Sequence, residues 1–255
     1  MILTDTHTHL YSEKFNEDRK DVINRAIQEN TTRFFIPAID SYYTQSMYDL
    51  ERDYPKNVFL MMGLHPTSVN ENYEKELEKV DVEFQKRDFY GVGEIGIDLY
   101  WDKSFLKEQQ IAFKHQIQLA KRKKLPIVIH CRDAFDEVFQ VLESERDENL
   151  FGIFHCFTGN FEQAKMALSY NMKLGIGGVV TFKNGGIDKF LNEIPLDQIV
   201  LETDSPYLAP SPFRGKRNES SYIKLIAQKV AQIYGVGLDD VAAITTQNSK
   251  NIFGV

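Results

Sequence analysis

Residues 126–142, Pro-Ile-Val-Ile-His-Cys-Arg-Asp-Ala-Phe-Asp-Glu-Val-Phe-Gln-Val-Leu, contain one complete strand-then-helix unit. The first part, 126–131, is short, apolar and rich in β-branched residues, which is typical of a buried parallel strand. The second part has apolar residues that share one face at helical spacing, namely Phe135, Val138, Phe139 and Leu142. A strand followed by an amphipathic helix is the repeating unit of α/β folds.

The same unit recurs along the whole chain. We predict eight strands, near 2–9, 33–39, 58–64, 89–97, 126–131, 150–156, 172–180 and 199–204. Helical stripes occupy the gaps, including Leu106, Phe113, Ile117 and Ala120, and later Tyr222, Ile226, Val230 and Ile233. Eight such units in 255 residues predict one domain, 1–255, folded as an α/β (β/α)8 barrel of the TIM type with parallel strands. The alternative is an open doubly wound sheet, but the chain has no Gly-rich dinucleotide or Walker-type loop.

The bulk composition restricts the class of protein. Hydrophobic residues make up 42% and charged residues 26% of the chain, as in ordinary globular enzymes. The net charge of −7 should repel a polyphosphate, which argues against a protein that coats DNA. A nucleic-acid substrate would therefore need local cations or bound metal ions.

Neither a leader-like segment nor a membrane-length apolar run is evident, so we expect a cytoplasmic protein without membrane attachment or an obligate protein partner. The two cysteines, Cys131 and Cys156, each follow a histidine and alternate with it along a strand. We expect both thiols to be reduced packing residues turned away from the histidines, with a disulfide between them as the alternative.

Metal-ligand side chains follow the predicted strands. In a (β/α)8 barrel the active site lies at the carboxyl ends of the strands. His7 and His9 share one face of the first strand, and four further donors come from other strands, namely Glu94, His130, His155 and Asp204. A carboxylate buried in a barrel is costly unless paired, and a cation would pair Glu94. The alternatives are packed histidines for His7 and His9 and a salt bridge for Glu94.

Other titratable residues are assigned differently. Glu202 alternates with Asp204, so it is a candidate either for orienting a ligand histidine or for an internal salt bridge. His115 lies about half a turn from the apolar stripe of its helix. We expect it to face solvent, outside the site.

Several stretches closely resemble the TatD family, within the amidohydrolase superfamily. They are Thr-Asp-Thr-His-Thr-His-Leu at 4–10, Gly-Leu-His-Pro at 63–66, Gly-Glu-Ile-Gly-Ile-Asp at 93–98, Phe-His-Cys-Phe-Thr-Gly at 154–159, and the long segment 201–219. The resemblance covers nearly the whole chain, and 201–219 is its most specific part. One departure is Ser220, where the family usually has proline; we expect it to loosen the start of the next helix without touching a ligand.

The resemblance implies a metal-dependent hydrolase, a deoxyribonuclease that acts on single-stranded DNA, and in some members on RNA, as a 3′→5′ exonuclease. It implies two divalent cations, for which Mg²⁺, Mn²⁺ and Zn²⁺ are the candidates. One would be held by His7, His9, Glu94 and Asp204, and the other by Glu94, His130 and His155. Glu94 and Asp204 are the catalytic candidates, with a metal-activated water whose proton Asp204 accepts.

Cations near the strand ends are candidates for substrate binding. Arg132, Arg214, Lys216 and Arg217 follow strands 5 and 8, and His65 follows strand 3. Tyr100 and Trp101, after strand 4, could stack a base or pack their own loop. The run Lys121-Arg122-Lys123-Lys124 ends a helix, so we place it on the opposite face.

Two other functions fit the same residues. A metal-dependent hydrolase of cyclic amides, lactones or small esters would keep the cations and change the bond that is cleaved. A non-catalytic scaffold that binds nucleic acid or protein is the second alternative, but a complete set of ligands argues against it.

Overall fold

The computed structural model describes residues 1–255 and contains eight strands and eight α-helices. The strands are β1 (Leu3–Asp5), β2 (Thr31–Ile36), β3 (Val58–Leu60), β4 (Val92–Asp98), β5 (Ile127–Arg132), β6 (Gly152–Phe154), β7 (Met172–Ile176) and β8 (Ile199–Leu201). The helices are α1 (Arg19–Gln28), α2 (Thr44–Asp53), α3 (Tyr73–Lys86), α4 (Leu106–Lys123), α5 (Phe135–Ser144), α6 (Phe161–Ser169), α7 (Ile223–Tyr234) and α8 (Leu238–Phe253).

All strand pairs are parallel and consecutive, in one group from β1 to β3 and another from β4 to β8. Isolated parallel bridges join the groups at both seams, between Met62 and Val92 and between Thr8 and Ser205. At the second seam the Asp204 amide also donates to the His7 carbonyl oxygen at 2.9 Å. The strands therefore close into a barrel, and the predicted (β/α)8 fold is confirmed.

The observed elements differ from the predicted ones in two respects. First, all strands except β4 and β5 end earlier than predicted. Beyond β8 the backbone reaches the left-handed region at Asp204, where φ is 56°. Second, short 3-10 turns replace an α-helix between β7 and β8, whereas α7 and α8 both follow β8. The glycine pairs at 177–178 and 185–186 disfavour a helix in that gap.

A small apolar cluster fills the barrel beneath the site. Its members are Phe35, Met61, Val128, Ile153, Val200, Ile252 and Phe253, and the Phe35 and Phe253 rings stack at 3.8 Å. A second cluster of 58 residues includes their strand neighbours, such as Ile127, Ile129 and Phe154. Because side chains alternate along a strand, residues two places beyond this interior cluster also point inward. The cluster thus closes one end of the barrel and leaves the carboxyl end for polar groups.

The basic run 121–124 lies at the end of α4, just before β5, and so at the amino-terminal end of the barrel. Lys121 pairs with Asp147 at 3.0 Å, and the Lys123 ammonium donates to the Phe84 carbonyl oxygen at 2.9 Å. These contacts agree with the prediction that the run is remote from the site. No helix is both long and apolar enough to cross a membrane.

Candidate metal centre and cavity

Glu94 lies at the centre of the site, 2% exposed and surrounded by imidazoles. Five of the six histidines of the chain place a ring nitrogen within 4 Å of its carboxylate. The distances are 3.0 Å to His7, 3.7 Å to His9, 3.3 Å to His65, 2.9 Å to His130 and 3.7 Å to His155. The structure therefore brings together donors from β4, β5 and the segments that follow β1, β3 and β6.

The two oxygens of Glu94 divide these donors into two groups. Oε2 faces the Nε2 atoms of His7 and His9, and Oε1 faces His65, His130 and His155. Asp204 Oδ1 lies 3.4 Å from His9 Nε2 and 3.9 Å from His155 Nε2, between the groups. Glu94 is thus shared by two sets of donors, each of which can hold one cation.

Partners on the far side of three rings fix which nitrogen faces Glu94. His130 Nε2 lies 2.8 Å from Asp98 Oδ2, and His155 Nδ1 lies 2.9 Å from Glu202 Oε1. In the neutral ring a carboxylate there holds the proton, so the other nitrogen presents its lone pair to the site. His9 Nδ1 has the Tyr11 hydroxyl at 2.9 Å in the corresponding position.

The ring of His65 has the opposite arrangement, with a proton on the nitrogen that faces the site. Its Nδ1 accepts a hydrogen bond from the Thr67 amide at 3.1 Å, so in the neutral ring the proton lies on Nε2. That N–H points toward Glu94 and the cavity, where it can donate to a negatively charged oxygen. This geometry favours the predicted contact with substrate over a ligand role, although His65 lies beside His130.

The charge states suit divalent cations. Burial raises the pKa of Glu94, but the nearby imidazoles of His65, His7 and His155 outweigh it and hold that pKa well below its usual range. Burial likewise opposes ionisation of Asp204, yet the hydrogen bond from His9 keeps the Asp204 pKa low. Burial lowers the pKa of His7 and His65. Ionised carboxylates with His7 and His65 neutral supply part of the donor set that cations require. Against the effect of burial, neighbouring carboxylates raise the pKa of His130 and His155, whose protons a cation must displace.

His155 should make cation binding depend on pH. Burial lowers its pKa, but Glu202, Glu94 and Asp204 together raise it to about 10. At pH 8 a cation must displace that proton, so binding should release about one proton. Calorimetric titration with Zn²⁺ or Mn²⁺ in buffers of different ionisation enthalpy measures this number. Equal heats in all buffers would contradict the prediction, and Glu202→Gln should reduce the number.

The same shift contributes to the pH dependence of stability in the metal-free protein. The pKa of His155 is higher in the folded than in the unfolded chain, so protonated His155 stabilises the fold. Its contribution is complete below pH 6.5, the ordinary histidine value, and is lost as the pH rises through about 10.

A cavity of about 900 Å³ opens above the metal centre. Its lining includes the predicted substrate-binding residues His65, Arg132, Arg214 and Lys216. Arg214 lies over the Phe182 ring, with Cζ 3.9 Å from the ring centroid. His115 lies outside the cavity. It is half-buried, with Nε2 3.0 Å from Asp81 on α3, so its side chain is less exposed than predicted.

Arg217 is not part of the cavity, which corrects the prediction that it binds substrate. Its guanidinium donates to both carboxylate oxygens of Asp18, at 2.8 and 2.6 Å, and covers the Phe15 ring. Both groups are about one third exposed. Arg217 therefore fastens the segment after β8 to the region before α1.

The cysteines follow the prediction only in part. Both thiols are free, and Cys131 packs against the apolar cluster of 58 residues, as expected. However, both cysteines also line the cavity. Cys156 reaches it because its backbone leaves strand geometry, with φ of 42°. Burial raises the pKa of Cys131 to about 12 and that of Cys156 well above its ordinary value. Protonated thiols are poor metal ligands.

Several buried polar residues that hold the site were not singled out from sequence. Asp98 fixes His130, and the alternation 94, 96, 98 along β4 was the available signal. Asp5 accepts hydrogen bonds from the amide and hydroxyl of Thr203, at 2.9 and 2.6 Å, and burial raises its pKa to about 7. Asn218 donates to the carbonyl oxygens of Thr203 and Tyr207. These bonds hold the β8 segment that carries Asp204.

Ser220 is closer to the site than expected. It is fully buried, and its hydroxyl lies 3.2 Å from that of Thr8, the residue between His7 and His9. Thr8 in turn lies 2.6 Å from the Ser205 hydroxyl. The serine thus adds a hydrogen bond at the β1–β8 seam that proline could not make.

Comparisons with known proteins identify the family of the chain. The family model described as TatD related DNase matches residues 4–254. The metal-dependent hydrolase YabD of Bacillus subtilis is 38% identical over 255 residues, covering 100% of both chains. The 3′-5′ ssDNA/RNA exonuclease TatD of Escherichia fergusonii is 30% identical, covering 98% of both.

Among solved structures, the TatD homologue YjjV of Escherichia coli K12 superposes with a TM-score of 0.93 at 26% identity, covering 99% of this chain and 98% of its own. The fold, the donor cluster around Glu94 and the match along 4–254 lead to one assignment. The chain belongs to the TatD family of metal-dependent hydrolases.

Proposed function

We propose that this hydrolase cleaves phosphodiester bonds of single-stranded DNA, and of RNA, as a 3′→5′ exonuclease with two divalent cations. The single observation that carries the proposal is the Glu94 carboxylate, shared between two sets of donors. Paired cations, which these donors would hold, are used by phosphatases, polymerases and nucleases to cleave phosphate esters. Mg²⁺, Mn²⁺ and Zn²⁺ are the candidate metals, and the relatives named exonucleases support the substrate class.

Bound cations would lower the pKa of water and neutralise charge on a phosphoryl oxygen. The side chains of the chain do the rest. Asp204, ionised and at the edge of the cavity, accepts the proton of the attacking water at a carboxylate oxygen. His65 donates its Nε2–H to a non-bridging oxygen, and Glu202 and Asp98 keep His155 and His130 in place.

Local cations offset the overall charge of −7. Arg132, Arg214 and Lys216 line the cavity, and each can bind a phosphate of the strand. Their position supports a polyanionic substrate over a neutral amide or lactone. A cytoplasmic location is part of the proposal and is supported by the two free cysteines.

The proposal separates the two arginines that follow β8. Arg214→Ala should raise KM for an oligonucleotide. It should also make the negative slope of log(kcat/KM) against log[salt] shallower by about one, because one phosphate contact is lost. Arg217→Ala should leave both quantities unchanged and lower the free energy of unfolding by about 1 kcal/mol, because it breaks a partly exposed ion pair. Steady-state kinetics at several salt concentrations and urea unfolding measure these effects. A larger change in KM for Arg217→Ala than for Arg214→Ala would contradict the assignment.

Digestion of a 5′-labelled single strand tests the function itself. Protein of known metal content is incubated with the strand and Mg²⁺, Mn²⁺ or Zn²⁺, and the products are resolved by length. A 3′→5′ exonuclease gives labelled products that shorten progressively. Turnover of model amides, lactones or carboxylic esters with an intact oligonucleotide would overturn the proposal.

A further inference from the structure

Trp101, the single tryptophan of the chain, stands at the mouth of the cavity with 71% of its surface exposed. Its neighbour Tyr100 is 52% exposed, and their rings meet edge to face at 4.9 Å. The metal centre and the general base use neither side chain. Two large exposed rings beside a polar cavity indicate a surface that a ligand covers.

A positively charged side chain completes this surface. The Arg132 guanidinium lies over the Tyr100 ring, with Cζ 3.6 Å from its centroid, and 5.5 Å from the centroid of Trp101. A stacked guanidinium is held flat by the ring and keeps its N–H groups for an anion. We call Tyr100, Trp101 and Arg132 the aromatic platform. It offers a stacking face and a phosphate-binding group side by side.

The aromatic platform is tied to the metal centre through Asp98. One oxygen of this buried carboxylate accepts the backbone N–H groups of Tyr100 and Trp101, at 3.0 and 3.1 Å. The other lies 2.8 Å from His130 Nε2. The backbone of the platform is therefore fixed relative to a candidate metal ligand, which a merely packed surface loop would not need.

We propose that the aromatic platform binds an unpaired nucleobase next to the scissile phosphate, with the base stacked on Trp101 and the adjoining phosphate on Arg132. This inference rests on the proposed phosphodiesterase function and specifies its substrate class as single strands that carry bases. A base within a duplex is stacked on both sides and cannot offer a free face. Stacking on aromatic side chains accepts any base, so the platform selects strandedness and not sequence.

Because Trp101 is the only tryptophan, its fluorescence reports occupancy of the platform directly. A nuclease-resistant single-stranded phosphorothioate oligonucleotide should quench that emission saturably in the metal-loaded protein. A strand of equal length without bases and a blunt duplex should quench far less. Equal quenching by the base-free strand, or none by the base-containing strand, would overturn the inference.

Kinetics give an independent test. Trp101→Ala should raise KM for a single-stranded oligonucleotide by at least roughly fivefold with kcat retained, and Trp101→Phe should restore most of the loss. Tyr42→Ala is the matched control, because Tyr42 is 75% exposed but does not line the cavity. An unchanged KM for Trp101→Ala would refute the platform.

A base-free strand with ordinary phosphodiester linkages distinguishes the two proposals. Its hydrolysis should be the same in the wild type and in Trp101→Ala. If the wild type cleaves oligonucleotides but Trp101→Ala matches it, only the platform is refuted. If the wild type cleaves neither the oligonucleotide nor the base-free strand, the proposed function fails first.

Discussion

Replacing Glu94 with glutamine is expected to reduce hydrolysis of a single-stranded oligonucleotide by more than about a thousandfold, the largest effect of any single change. The carboxylate is the one group that both donor sets share, and an amide offers a neutral oxygen in place of two charged ones. Elemental analysis should show loss of bound metal in parallel with the loss of activity. Glutamine keeps the shape of the side chain, so the circular dichroism spectrum should match the wild type.

Glu193→Gln is a suitable control for Glu94→Gln. Glu193 is an exposed glutamate in a 3-10 turn between β7 and β8, away from the cavity. The Glu193→Gln variant should retain the metal content and the hydrolysis rate of the wild type. If Glu94→Gln kept both metals and the wild-type rate, the shared-carboxylate site would be wrong.

Asp204→Asn is expected to lower kcat by roughly 10²- to 10⁴-fold, the range for loss of a general base. The asparagine oxygen can still contact a cation, but it cannot take a proton from water. KM should change much less than kcat, because the proposed phosphate contacts are made by the cavity-lining residues Arg132, Arg214 and Lys216. Single-turnover digestion at saturating protein isolates the chemical step and measures this loss.

Asp102→Asn is the matched control for this second change. Asp102 is an exposed aspartate that follows β4, and its carboxylate accepts a hydrogen bond from the Ser104 amide. The Asp102→Asn variant should digest the oligonucleotide at the wild-type rate. Oligonucleotide digestion by Asp204→Asn at the wild-type rate would remove Asp204 from the mechanism.

Strand alternation explains why the candidate site could be predicted from sequence. Val128 and Ile153 lie in the apolar interior of the barrel, and His130 and His155 follow two residues later on the same inward face. Because all strands run in parallel, inward residues near their carboxyl ends must meet at one end of the barrel. The donor set needed no more than these two rules.

Contacts between distant segments could not be predicted in the same way. Arg217 follows β8 like Arg214, and only the folded chain shows that Asp18 holds one guanidinium while the other faces the cavity. The proton position on His65 depends on the Thr67 amide, which is a feature of local backbone geometry. The position of Cys156 depends on a left-handed residue that alternation does not anticipate.

The seam between β1 and β8 has a consequence for the stability of the barrel. His7 and His9 lie on one side of it and Asp204 on the other, so a cation held by all three cross-links segments almost two hundred residues apart in the chain. Such a cation would bind only the folded barrel, in which these donors converge, and would therefore stabilise it against unfolding. Resistance to proteolysis and the melting temperature are therefore expected to rise with metal concentration, which would make the cations structural components as well as cofactors.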